Sequence, residues 1–161
     1  MDLQYKILRK RDLENSHRKI FAELLDKQGK VQGNLMTKAD RCKLICIALI
    51  NNNPVAIGGI KKKSNSDFTG QKADLQNFSS DFEWELGYLF TLEEYTGYGI
   101  ASNIVKLLII EYGYFNLMAS TEITANPGMV RILEKNGFKH YGKPWKSNIH
   151  ENYIGLFLKY I

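Results

Sequence analysis

The chain has 161 residues, 44% of them hydrophobic and 24% charged, a balance that excludes a disordered polyelectrolyte and suits one domain, residues 1–161, with a substantial core. Its formal charge of +5, from 22 basic and 17 acidic residues, favours a polyanionic partner. The longest apolar run, residues 104–110, is broken by Lys106 and is too short to span a bilayer, and the first residues carry no apolar secretory core, so a cytoplasmic location and no membrane partner are expected.

Residues 3–9 alternate apolar and polar and read as a strand; residues 11–25 carry helical spacing at Leu13, Ile20, Phe21, Leu24 and Leu25. Residues 28–39 are polar and give no element. Residues 43–50 and 55–62 are apolar strands joined by Asn51-Asn-Asn-Pro54, residue types that accept the backbone angles of a tight turn. Cys42 and Cys46 lie at the start of the first of these strands. In extended chain they are ~13 Å apart, beyond disulfide reach, so buried thiols are expected, and no cysteine or histidine spacing points to a metal. Residues 64–80 are polar and read as a mobile insertion lining a substrate entrance.

Residues 82–91 alternate so that Trp84, Leu86, Tyr88 and Phe90 take one side, and Glu83, Glu85, Gly87, Leu89 and Thr91 the other, with the aromatic side expected in the core. A turn with two glycines follows, Thr96-Gly97-Tyr98-Gly99-Ile100-Ala101-Ser102, and residues 99–112 have the apolar spacing of a helix. Gly97 and Gly99 remove the side chains that would keep an anion from the backbone, and the free N–H groups from Gly99 to Ser102 point toward the same spot, which makes a diphosphate cradle. A phosphate-transfer loop would need Gly-Lys-Ser/Thr at the helix start, whereas no lysine occurs before Lys106. Residues 117–125 form the next strand. Asn126-Pro-Gly then opens a short helix that ends at Asn136-Gly137, and residues 138–142 and 153–160 close the chain as strands.

Thr96-Gly97-Tyr98-Gly99-Ile100-Ala101 resembles motif A of the GNAT superfamily of N-acetyltransferases, Gln/Arg-x-x-Gly-x-Gly/Ala, with Thr96 in the place of the Gln or Arg. The run from Asn126 to Phe138 resembles motif B, an Asn after a strand and a short helix closing on Lys-x-Gly-Phe. Glu85-Leu-Gly-Tyr88 with Leu133-Glu-Lys-Asn-Gly-Phe138 is similar to the branch that contains the ribosomal-protein N-terminal acetyltransferases. The resemblance implies an α/β fold, with a mixed, mostly antiparallel central sheet flanked by helices and two splayed central strands.

It also implies acetyl-CoA as cosubstrate, no metal, and a primary amine of a protein or small molecule as acceptor. Backbone groups of Leu89, Phe90 and Thr91 would hold the thioester, and Thr96, Gly97, Tyr98, Gly99, Ile100, Ala101 and Ser102 the diphosphate. Asn126 would face the pantetheine arm, and Arg131 and Lys135 would approach the cofactor. An amine must be neutral to attack, yet a lysine amine with a pKa of ~10.4 is neutral in only about one molecule in 2,500 at pH 7. Glu85 is the candidate base, matching a strand position where family members often place a catalytic glutamate, with Glu83 two residues back as the reserve. Where the family often has a tyrosine to protonate the leaving thiolate, this chain has Leu133. A thiol of pKa ~8.5 leaves readily near neutral pH, so this loss slows the reaction without abolishing it.

Two other functions fit the same residues. A non-catalytic acyl-CoA sensor is consistent with Thr96 and Leu133. A small nucleic-acid-binding domain would use the clusters Arg9-Lys-Arg11, Lys61-Lys-Lys63 and Lys139, Lys143, Lys146, although nucleic acid is the weaker partner. A homodimer is compatible with the sequence.

Overall fold

The computed structural model describes residues 2–161, whose elements follow the order β-α-β-β-β-α-β-α-β-β expected from the sequence. They are β1 (Leu3–Arg9), α1 (Asn15–Gln28), β2 (Cys42–Ile50), β3 (Asn53–Lys62), β4 (Trp84–Thr91), α2 (Ile100–Tyr112), β5 (Leu117–Glu122), α3 (Pro127–Lys135), β6 (Lys139–Lys146) and β7 (Tyr153–Lys159). No described helix is long and apolar enough to cross a membrane. The residues gather into two compact units, one of residues 2–61 with Leu86–Gly113, the other of Lys62–Glu85 with Tyr114–Ile161.

In the first unit the strand order is β1-β2-β3-β4, and β1 with β2 and β2 with β3 are antiparallel. Asn51 and Asn52 take φ values of 50° and 68°, the left-handed angles of the hairpin turn that their side chains predict. Nearly all of β2 is buried, so both of its faces are covered. Ile45, Ile47 and Leu49 pack with Ile57 against Phe21, Leu24 and Leu25 of α1. The opposite face takes α2. A Cβ on Gly58 would meet Ile104 Cγ2 and Leu89 Cδ2 at 2.7 Å, so this glycine permits the close approach of α2 and β4 to β3.

The helix expected over residues 11–25 runs instead from Asn15 to Gln28, because Lys10–Asp12 forms a 3-10 turn. The Glu14 N–H donates to His17 Nδ1 at 3.1 Å at the helix start, and Gly29, at φ 76°, ends it. That shift carries Gln28 into the last turn.

In the second unit the order is β4-β5-β7-β6, with Glu85 of β4 opposite Met118 of β5 in parallel and the β5–β7 and β7–β6 pairs antiparallel. Among the described residues this β4–β5 pair is the parallel one, which makes the mixed, mostly antiparallel sheet. Residues 64–80 are not a mobile insertion. They form the 3-10 turns Asn65–Phe68 and Gln76–Asp81, and Phe68 and Ala73 join Phe82, Met118, Trp145, Leu156 and Leu158 in a core. Four interspersed apolar side chains, Phe68, Ala73, Leu75 and Phe78, supply that anchoring within a polar composition. Lys63 Nζ adds a hydrogen bond to the Ser79 carbonyl.

Candidate active site

Strand β4 departs from regular geometry at Tyr88, whose φ is 55°. For a bulky residue this is a costly conformation, held only where the surroundings over-determine it. Here the ring is fixed on two sides: Phe21 of α1 meets it edge to face at 5.7 Å, and Lys61 Nζ lies 5.0 Å from its centroid. Beyond it come Leu89, Phe90 and Thr91, all half-buried, the residues expected to offer backbone groups to a thioester. The Leu92 N–H donates to the Val55 carbonyl at 2.8 Å, so β4 is back on the β3 ladder at its end. The Leu89 carbonyl accepts a hydrogen bond from Gln28 Nε2 at 2.9 Å.

The glycine turn lies in the same unit. Gly97 and Gly99 have φ values of 85° and 77°, angles that side chains rarely adopt, and a Cβ built on either would meet nothing within 4 Å. The backbone is therefore both forced to be glycine and open above. Gly99 is the N-cap of α2 in a left-handed conformation, and no side chain caps the helix. The first-turn N–H groups of Ile100, Ala101 and Ser102 thus remain available for an anion, aided by the helix dipole. Ile100 is buried beneath this turn, while Tyr98 is 62% exposed beside it. Thr96 does not reach into the cradle as a long side chain would: its hydroxyl donates to the Glu93 carbonyl at 2.8 Å and closes the preceding turn.

The remaining expected residues belong to the second unit. Glu85, at 4% exposure, is buried like its neighbour Leu86, so the strand is covered at this position on the side opposite the expected aromatic core as well. Its Oε1 accepts the Ser64 N–H at 2.9 Å. Glu83 precedes the strand instead of lying in it, its side chain is 67% exposed, and Lys62 Nζ is 3.3 Å from its Oε1. Asn126 is the N-cap of α3, its Oδ1 accepting the Met129 N–H at 3.3 Å, and Pro127 follows it in the first turn. Arg131 and Lys135 are exposed, one turn apart on α3. Leu133, at the motif B position, is buried. Glu122, at the end of β5, is 2.9 Å from His150 Nε2 and also accepts from Asn152 Nδ2 at 3.3 Å.

Gln28 and Ser64 were not singled out from the sequence as site residues, and Lys61 entered only as part of a basic cluster. Each acts across a long separation in the chain, on Leu89, Glu85 and Tyr88 respectively, and no local pattern marks such pairings. Cys42 and Cys46 are both free and buried, and burial pushes each thiol from the ordinary 9.0 up to about 12. They offer no nucleophile near neutral pH.

The sequence model of the acetyltransferase (GNAT) family matches residues 5–138. No curated protein matches the chain significantly. Among solved structures, a chain of the NatC complex bound to Gag peptide and CoA superposes with a TM-score of 0.74 at 18% identity, covering 100% of this chain and 99% of that one. Arabidopsis thaliana Naa50 in complex with the bisubstrate analogue CoA-Ac-MVNAL gives 0.70 at 14% identity, covering 98% and 99%. The ribosomal-protein-S18-alanine N-acetyltransferase from Escherichia coli gives 0.66 at 13% identity, covering 97% and 93%. At these identities the superpositions establish a common fold.

Proposed function

Because the chain belongs to the acetyltransferase (GNAT) family, we propose that its 161 residues work as one acetyl-CoA-dependent N-acetyltransferase domain that acetylates a primary amine by direct attack in a ternary complex. The observation that carries this reading is the turn from Gly97 to Gly99. It combines two left-handed glycines, open space above both, and an uncapped helix behind them.

Those features fit the diphosphate of acetyl-CoA. Thr96, Gly97, Tyr98, Gly99, Ile100, Ala101 and Ser102 would hold it through backbone N–H groups, while Leu89, Phe90 and Thr91 would hold the arm that carries the acetyl group. When bound, acetyl-CoA supplies an activated thioester carbonyl for the amine to attack. Asn126, with Arg131 and Lys135 on the exposed side of α3, belongs to the proposed cofactor contacts.

Glu85 is the proposed base, which takes the proton that an ammonium must lose before it can attack. Its burial keeps the carboxylate from bulk water, and the Ser64 N–H orients one of its oxygens. Glu83 is the lesser candidate, since its carboxylate is solvated and engaged by Lys62. The acceptor we propose is a peptide α-amine, a choice supported by one structural neighbour solved with a peptide and CoA and another with the bisubstrate analogue CoA-Ac-MVNAL. An α-amine of pKa ~7.7–8.0 is also far easier to deprotonate near pH 7 than a lysine side chain. A cytoplasmic location fits this role.

The test is calorimetric titration of the wild type and Gly99→Glu with acetyl-CoA, followed by an amine screen with an α-amine peptide, N-acetyl-lysine and spermidine. The expected result is micromolar binding by the wild type, loss of it in the folded Gly99→Glu variant, and acetylation of the peptide first. A folded wild type that binds no acetyl-CoA would sink the reading. Tight binding with no turnover on any amine would favour an acyl-CoA sensor instead.

A further inference from the structure

Gln28 is the last residue of α1, and its amide is in an unbalanced position. Nε2 donates to the Leu89 carbonyl at 2.9 Å, which fixes the end of the amide that carries the donors. The other end, Oε1, is buried from water and has no hydrogen-bond partner among the described residues. A buried carbonyl oxygen left without a donor is uncommon, and it marks a place where a missing molecule supplies the bond or where function tolerates the cost. Leu24, Leu25 and Phe21 of α1 belong to the hydrophobic cluster of this unit, and Tyr88, Phe90 and Leu92 pack against it, while Gln28 itself is half-buried at the helix end.

The residue that Gln28 grips matters as much as the orphaned atom. Leu89 directly follows Tyr88, the left-handed residue that breaks the regular course of β4, and its carbonyl belongs to the segment expected to face the reacting thioester. A side chain that reaches this carbonyl from 61 positions away also stands beside whatever binds there. The terminal torsion of glutamine is soft, so a small rotation lets Oε1 meet a donor entering next to Leu89 while Nε2 keeps its bond.

We propose that Gln28 is part of the substrate site, its Nε2 holding the Leu89 carbonyl and its Oε1 accepting an N–H from bound substrate. Two N–H donors have this chemistry, an amide of the pantetheine arm and the acceptor amine or its first peptide group. The proposal rests on the acetyltransferase reading and names a residue that reading does not use. Gln28 would select for substrates that bring a donor, because an incoming group without one leaves the oxygen buried and unpaired.

The experiment compares wild type with Gln28→Met, which keeps the length and apolar stem and removes both polar ends. Acetyl-CoA affinity is measured by calorimetry, and kcat and KM for a short peptide with a free α-amino group by thiol release. About a tenfold weakening is expected in one substrate parameter, with kcat affected less. A weaker acetyl-CoA Kd identifies the pantetheine amide as the donor; a rise confined to the peptide KM identifies the acceptor. A folded Gln28→Met that matches wild type in both overturns the proposal. Should that variant fail to fold, the Gln28 side-chain amide signal of isotopically labelled wild type decides. A shift on adding acetyl-CoA or peptide supports the contact, and a signal unmoved at saturation of both overturns it. Wild type that binds no acetyl-CoA overturns the acetyltransferase reading and this proposal with it, a failure recognised before any Gln28 variant is made.

Discussion

Lys61 Nζ stands 5.0 Å from the centroid of the Tyr88 ring, over a residue whose backbone is held at φ 55°. The cation–π contact and the edge of Phe21 together keep a tyrosine in a conformation that normally belongs to glycine. In an ordinary strand, glycine is less stable than alanine. At position 88 the order should reverse, with Tyr88→Gly more stable than Tyr88→Ala by about 1 kcal/mol, since alanine keeps the left-handed penalty and glycine loses it. Urea denaturation of the two variants checks this, and an alanine variant more stable than the glycine one would refute the strained bulge.

Glu85→Gln preserves an oxygen that can accept the Ser64 N–H while removing the capacity to take a proton. The variant should fold and bind acetyl-CoA like the wild type but lose roughly 10²- to 10⁴-fold in kcat. Steady-state kinetics beside calorimetry separates the two effects. Unchanged kcat would remove Glu85 from the mechanism.

Gly58→Ala forces a Cβ to within 2.7 Å of Ile104 Cγ2 and Leu89 Cδ2. Overpacking of this kind costs about 1–3 kcal/mol. Because one of the displaced neighbours is Leu89, acetyl-CoA affinity should fall along with the melting temperature. Loss of stability without any change in affinity would show that the Leu89 segment is not a cofactor contact.

The two cysteines make a pH prediction. Burial raises both thiols from 9.0 to about 12, so the folded state favours the protonated form more than the unfolded state does. Their contribution to stability is complete below pH 9 and is lost as pH rises toward 12. Thermal melts across that window should show a decline that Cys42→Ala/Cys46→Ala lessens. Iodoacetamide at pH 8 should modify neither thiol until denaturant is added; rapid labelling of the native protein would contradict their burial.

Much of this architecture was legible because its causes are local. Asn51 and Asn52 announce a hairpin, Gly97 and Gly99 a cradle, and Pro127 after Asn126 the start of a helix, each through its own backbone preference. Other features depend on partners distant in the chain. Residues 64–80 look mobile by composition, yet Phe68 and Ala73 are buried against Trp145 and Leu156, which only the fold supplies. Alternation placed Glu85 opposite the aromatic side of the strand, yet its carboxylate is buried and accepts the Ser64 N–H, a partner 21 residues away in the chain. Nothing near Tyr88 signals its left-handed backbone, because Phe21 and Lys61 provide the reason.

The two compact units are threaded through one another along the chain: the first is interrupted by Lys62–Glu85, and the second resumes only at Tyr114. During synthesis, which releases the N-terminal part first, the first unit can close once Gly113 has emerged from the ribosome. By then Lys62–Glu85 is already out, without the 48 residues Tyr114–Ile161 that complete its core. A nascent chain stalled between these points therefore holds Phe68 and Phe82 with Met118, Trp145 and Leu156 still unmade, and such intermediates should be the species that need chaperone cover.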